Sequence, residues 1–316
     1  MNILGYLLTA PVVRGPYEDV RHVYKVHRNC PFTGTVERAI WAGFHADRLG
    51  YAFVGGYTAA LARLGSTAGA LERPLPTRLC LAVTEAGGGH PKAIQTRVDK
   101  RGGALVINGE KTFATLATEA EEMLVVASRG LEPSGKNRLR VVRVKPSAPG
   151  VTITPRKATP FAPEIPHAHV KLEEVVVDGA DVLPGDGYDQ YVKPFRTIED
   201  THVLAASIGY VTGVARAYDF SKDVLAECTS TALALIDVGA RDVGKPITHL
   251  VLAGIFATVK RLVGSLGDEW AKADAEERER WSRDLALLVV AEGARAKRTE
   301  RAFADIAATA ADVRTS

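Results

Sequence analysis

The chain has 316 residues, of which 46% are hydrophobic and 24% charged, which suits one large or two to three small globular domains with a real core. Its net charge of +3 is too small to argue for a nucleic-acid partner. The three cysteines, Cys30, Cys80 and Cys228, are scattered without any CxxC or Cys/His cluster, so neither a disulfide framework nor a zinc site is expected and a reducing cytoplasm fits.

Residues 1–75 read as helical. The apolar run 3–13 has no basic residue before it, is interrupted by Pro11 and is too short to span a bilayer. It is expected to be core or packing surface. Residues 17–27 suit a short helix, and Thr35 is a plausible N-cap for a longer one. Ile40, Phe44, Leu49, Phe53, Tyr57 and Leu61 form a loose helical stripe. Gly50, Gly55 and Gly56 interrupt it, so a break or close packing is expected there. Pro74 and Pro76 make 71–76 a linker.

Residues 76–186 are β-rich. Apolar, β-prone runs occur at 79–83, 104–107, around Phe113, and at 123–127, 138–144, 151–154 and 168–172. Asn108-Gly109 is a strong hairpin signal, so the stretch 78–115 is expected to be antiparallel. Short strands at this spacing suggest a barrel-like or sandwich domain. Gly87-Gly88-Gly89 would let main-chain N–H groups approach a ligand, though a plain connecting loop also uses glycine. No helix follows these glycines, which rejects a dinucleotide fingerprint of the Rossmann kind.

Residues 187–316 return to helix, with candidates at 197–222, 229–238, 247–266 and 275–311, as in an antiparallel bundle. The arginines of the last segment alternate with Glu and Asp, which describes a solvated face rather than a nucleic-acid surface. The apolar run 247–266, with Gly209 and Gly213, offers more helix surface than one short bundle buries, so a homodimer or homotetramer is expected.

The wording of the middle stretch is more specific than its glycines. Val83-Thr84-Glu85 with its glycines, Ile94-Gln95-Thr96, the run Ile107-Asn108-Gly109-Glu110-Lys111-Thr112-Phe113-Ala114-Thr115 and the strand at 123–127 resemble the middle domain of the acyl-CoA dehydrogenase family. The resemblance continues through Pro149-Gly150-Val151 and Val182-Leu183-Pro184-Gly185, and covers about residues 76 to 215. It implies an α+β fold: an N-terminal helical domain, here shortened (1–75), a middle antiparallel β-barrel-like domain (76–186) and a C-terminal helical bundle (187–316). It also implies FAD between the β-domain and the bundle.

By this resemblance Leu81, Val83 and Thr84 lie along the pyrimidine edge of the flavin. Gly89 and His90 lie toward the cofactor phosphates and the thioester. The family usually carries Ser-Asp where this chain has His90-Pro91, and Pro91 removes one N–H. Phe113 matches the aromatic that packs on the flavin ring, and Thr115 the hydroxyl near N5. Two residues apart, they share one strand face. A core Phe and a strand Thr would satisfy the same pattern.

Two positions for the acid–base carboxylate occur in the family. The C-terminal one is absent here, and the other matches Glu199, followed by Asp200 where the family has Arg. Glu199 would also serve simply as a first-turn acid favoured by the helix dipole. Glu199, His202, Ala206, Gly209 and Gly213 form one stripe, narrow enough for a flat ring or a neighbouring helix. Glu-x-x-His also occurs in di-iron bundles, but no second copy exists, so no metal is expected. Arg241 to Ile247 resembles a segment that touches the neighbouring subunit's cofactor, while the Q-x-x-G-G element is absent.

The expected activity is α,β-desaturation of an acyl-CoA or related thioester, in fatty acid metabolism, with an electron-transfer flavoprotein as acceptor. Two alternatives stay open: a flavin oxidase or monooxygenase using the same pocket, and a scaffold or binding protein that has lost FAD.

Overall fold

Seven strands make one sheet in the computed structural model, which describes residues 1–67 and 75–315. They are β1 (Leu79–Ala82), β2 (Arg97–Arg101), β3 (Ala104–Thr115), β4 (Glu122–Leu131), β5 (Asn137–Val144), β6 (Val151–Pro155) and β7 (His167–Val177). Their order is β1-β4-β2-β3-β7-β6, with β5 paired to β4. This sheet belongs to a unit comprising Leu61–Thr159 and Pro163–Arg196. Its core is small and β-branched, with Val98, Ile107, Val125, Val142, Val170 and Val175 almost fully buried. Of the linker expected at 71–76, residues 71–74 lie outside the described residues.

Two sequence expectations are corrected here. Asn108-Gly109 is not a hairpin turn, because β3 runs through it from Ala104 to Thr115. The hairpin is Gly102-Gly103, at φ +56° and +92°, as a two-residue turn with both central residues left-handed demands. Gly109, at φ +148°, instead lets β3 pass over Thr96, whose Oγ1 would lie 2.5 Å from an added Cβ. Asn108 Oδ1 accepts from the Glu174 N–H at 2.8 Å, pinning an irregularity in β7 where Ile107 pairs with Val175 and Gly109 with Leu172. The stretch 78–115 is also not wholly antiparallel: β1 pairs with β4 in parallel, Leu79 opposite Glu122.

The remaining described residues form a helical unit, Met1–Ala60, Pro160–Ala162 and Thr197–Ser316. Its early helices are α1 (Ile3–Thr9), α2 (Val20–Arg28), α3 (Thr35–His45) and α4 (Leu49–Thr67, which continues into the other unit). Later come α5 (Lys193–Ala217, entering from the other unit), α6 (Lys222–Ala240), α7 (Pro246–Ser265), α8 (Gly267–Trp270), α9 (Ala275–Asp284) and α10 (Glu292–Thr315). Gly34 rather than Thr35 is the N-cap of α3, and Glu37 Oε2 accepts from the Gly34 N–H at 3.2 Å. The glycines at 50, 55 and 56 do not break α4; close packing holds at two of them, where a Cβ on Gly55 would fall 2.6 Å from Ala42 Cβ and one on Gly56 2.7 Å from His202 O.

The small-residue stripe of α5 has a helix for its neighbour. A Cβ on Gly209 would lie 2.0 Å from Ile40 O, and one on Gly213 2.5 Å from Phe44 O. The seam belongs to α3, which removes the glycine pair from the argument for an oligomer. The single helix expected at 275–311 is broken: α9 ends at Asp284, a short 3-10 turn covers Leu285–Leu288, and α10 starts at Glu292. Asp284 is fully buried and accepts the Ala162 N–H at 2.6 Å, while Arg295 Nη2 donates to Leu288 O at 2.8 Å. Both tie the break down. By length and composition α7 alone among the described helices would pass for a membrane span, yet its Leu252, Ile255, Val259 and Leu262 are buried in this unit.

Candidate functional site

A bulge assembles one edge of the sheet. Lys111 pairs with Val170 and Ala114 with Ala168, so β3 carries one residue more than β7 between these pairs. The extra residue bends β3. Its Thr112 N–H then reaches Thr84 O at 2.8 Å, and Phe113 bridges to Thr84. Thr84, Phe113 and Thr115 therefore meet at one edge. Ala114 between the latter two is fully buried, while Phe113 is 38% exposed, unusual for a large apolar ring. The edge is planar, apolar and lined by hydroxyls.

The glycine loop leaves that edge open. Glu85 and Gly88 close a tight turn through two backbone bonds of 3.2 and 2.8 Å. Gly88 stands at φ +94° with nothing within 4 Å of an added Cβ, and on Gly89 that atom would meet only Thr84 Oγ1 and Val83 Cγ1, both at 3.7 Å. Arg196, at the start of α5, donates to Gly89 O at 3.2 Å, placing a guanidinium beside the loop. His90 instead spends its ring on the turn that follows, Nδ1 accepting the Lys92 N–H at 3.2 Å.

Beneath the edge lies a buried ion pair. Lys111 Nζ donates to Glu85 Oε1 at 2.6 Å, Val126 O at 2.6 Å and Val83 O at 3.3 Å. The Glu85 carboxylate also accepts the Gln95 and Thr96 N–H groups at 2.7 and 3.1 Å. Burial opposes its ionisation, but Lys111 and these donors hold its pKa below the usual value. Burial lowers Lys111 to about 8 despite Glu85. Leu81 is buried on β1, upstream of these groups.

His167 and Arg156 complete the edge, and the sequence reading missed both. His167 sits opposite Thr115 in the β3–β7 register, its Nδ1 3.3 Å from Thr115 Oγ1. Its ring stacks on Phe113 with centroids 4.2 Å apart. The Arg156 guanidinium lies 5.5 Å from the Phe113 centroid and donates to Thr112 O at 2.8 Å. Burial, then the Arg156 charge, lowers the His167 pKa to about 4, so it is neutral at pH 7. Strand pairing across 52 residues carries no local signal for His167. For Arg196 the only hint was its place at the head of a helix.

In the helical unit, Glu199 is half-buried on α5. Its neighbour Asp200 is ion-paired with Arg298 and, at 3.2 Å, with Arg295, so that acid holds α10. Burial nevertheless raises its pKa. His202 is a satisfied core histidine, with Nδ1 2.7 Å from Ile198 O and Nε2 2.9 Å from Thr35 Oγ1. Arg241 is exposed at the end of α6 and bonds Asp237 at 2.8 Å. An apolar cavity of about 530 Å³ lies among Leu252, Phe256, Val263, Leu288, Val289 and Ala296. Neither Glu199 nor Arg241 lines it.

Comparison with known proteins agrees with this architecture. Solved structures with the same fold include butyryl-CoA dehydrogenase from Megasphaera elsdenii, with TM-score 0.68 and 15% identity, covering 92% of this chain and 90% of that one. Another is PigA with FAD and proline, with TM-score 0.66 and 12% identity, covering 91% and 88%. The chain thus has the α+β fold of the acyl-CoA dehydrogenases. Residues 80–175 match the family model described as acyl-CoA dehydrogenase, middle domain. The probable acyl-CoA dehydrogenase YngJ of Bacillus subtilis (strain 168) is 32% identical over 138 residues, which are 43% of this chain and 34% of that protein's length. The likeness in sequence to the acyl-CoA dehydrogenases thus lies over the middle stretch, and the chain spans about a third of the length of that curated relative.

Proposed function

We propose that the protein is an FAD-dependent oxidoreductase that desaturates an acyl thioester, such as an acyl-CoA, at its α,β bond. Electrons would pass to an external electron-transfer flavoprotein. The observation that supports this most is the Thr84–Phe113–Thr115 edge, where Phe113 is exposed and the adjoining Gly88 and Gly89 present backbone without side chains. A flat ring system fits such an edge, with Phe113 as its wall. Val83 and Thr84 would border the ring's pyrimidine side, and the Gly89 loop with Arg196 would face the phosphates. Bound FAD would supply the two-electron acceptor, chemistry that no side chain provides.

Glu199 is the carboxylate for proton abstraction from the thioester α-carbon. A base there must come within about 3 Å of that proton. The same proposal assigns the three-part division at 1–75, 76–186 and 187–316, a homo-oligomer built on the apolar face of α7, and a cytoplasmic setting. The test is the visible absorption spectrum of the purified chain with added FAD, followed by anaerobic titration with acyl-CoA. Flavin bands bleached by substrate support the reading. One observation favours a scaffold without FAD: Pro91 has no N–H to offer a phosphate beside the glycine loop. Absence of any FAD binding would establish that alternative.

A further inference from the structure

We propose that His167 is a positioning residue that decides how the Thr115 hydroxyl faces a ring laid against the edge. The inference rests on the FAD reading above. Three contacts leave the imidazole little freedom. Phe113 covers one face at 4.2 Å with planes 30° apart, the register fixes its backbone opposite Thr115, and Nδ1 lies 3.3 Å from Thr115 Oγ1. Stacked rings at this separation attract each other, and two-point contact adds rigidity.

The chemistry follows from counting hydrogens. A neutral imidazole has one N–H and one bare nitrogen. If Nδ1 is bare, it takes the Thr115 hydrogen, and Oγ1 faces the site with lone pairs only. If Nδ1 carries the hydrogen, it donates to Oγ1, and the Thr115 O–H is free to point outward. In the first tautomer the hydroxyl can only accept; in the second it keeps its hydrogen and one lone pair. The Arg156 charge and burial keep the ring from a second proton at neutral pH. An oxidised flavin ring nitrogen accepts a hydrogen bond, and after reduction the same nitrogen donates one. With Nδ1 bare, the His167–Thr115 pair therefore weights the reduced cofactor, whose ring nitrogen donates, over the oxidised one. A net neutral hydrogen bond is worth a ratio of about fivefold.

Two variants separate stacking from bonding. His167→Phe keeps the stack and removes Nδ1, whereas His167→Asn keeps a polar atom near the Nδ1 position and removes the ring. In the full-length chain, His167→Phe should bind oxidised FAD within about threefold of wild type. It should change the ratio of affinities for oxidised and reduced FAD by roughly fivefold, about 20 mV in a two-electron midpoint potential. His167→Asn should restore the wild-type ratio while weakening total affinity. An unchanged potential in His167→Phe, or equal shifts in both variants, overturns the proposal. Without added FAD, ¹⁵N NMR of the His167 ring should show Nδ1 shifting on Thr115→Val, and no shift would mean that the pair does not exist. A wild-type chain that binds no FAD refutes the FAD reading and the cofactor half of this proposal, while the ring resonance still decides the Thr115 contact.

Discussion

Lys111→Met should destabilise the β unit by about 4 kcal/mol, within the 3–5 kcal/mol that follows removal of one partner from a buried ion pair. The structure accounts for the size. Lys111 is 0% exposed and all three of its ammonium hydrogens have acceptors. Methionine fills the stem but leaves Val126 O and Val83 O without that donor. It also leaves the Glu85 charge with only the Gln95 and Thr96 N–H groups among the bonds described above. Adding Glu85→Gln to Lys111→Met removes the stranded charge, so the double variant should recover part of the loss, a coupling of about 1–3 kcal/mol. Urea unfolding followed by circular dichroism measures wild type, each single variant and the double variant.

The pH dependence carries its own sign. Lys111 in the folded chain has a pKa near 8, below its ordinary value of 10.5. Between these values the unfolded chain binds more protons, so wild-type stability rises with pH across that window, and Lys111→Met lacks the rise. Glu85, held below its ordinary 4.5, contributes stability above that value and loses it as pH falls through the folded-state pKa. A Lys111→Met variant within 1 kcal/mol of wild type, by the same measure, with an unchanged alkaline profile, would refute the reasoning. The consequence reaches function because Lys111 anchors Val83 O, one residue from Thr84.

Glu199→Gln should leave FAD bound and slow substrate bleaching of the flavin by about 10²- to 10⁴-fold in stopped-flow absorbance; bleaching at the wild-type rate would place the base elsewhere. Gly209→Ala should cost about 1–3 kcal/mol in denaturant unfolding, because its Cβ would overlap Ile40 O. FAD at about 100 times its dissociation constant should raise folding stability by about 2.7 kcal/mol. Calorimetry would show this as a higher Tm, and an unmoved Tm would count against the cofactor.

The helix–sheet–helix order was legible because amphipathic periods and short turns are written locally. The Val83-Thr84-Glu85 and Phe113-Ala114-Thr115 wording also singled out residues that the bulge brings to one edge. Its local details were less legible. Gly109 and Gly103 are both glycines beside β-prone runs, and nothing local separates one that turns a hairpin from one that passes over Thr96. Both needs are met by the same missing side chain. The α5 stripe likewise admitted a ring or a helix, and only α3, lying against Gly209 and Gly213, decided between them.

What the sequence by itself determined is therefore the order of helix, sheet and helix and the residue types at the edge. Tertiary structure decided the partners. His167 meets Thr115, Arg196 meets Gly89, and Lys111 meets Glu85 across separations of 52, 107 and 26 residues. Each meeting depends on strand register, on one bulged residue, or on where a helix begins after the sheet. A shift of one position turns a side chain to the opposite face of the sheet. The contacts that tune the edge thus follow from pairing between distant segments, whose energy is shared over the whole sheet and written in no single stretch of it.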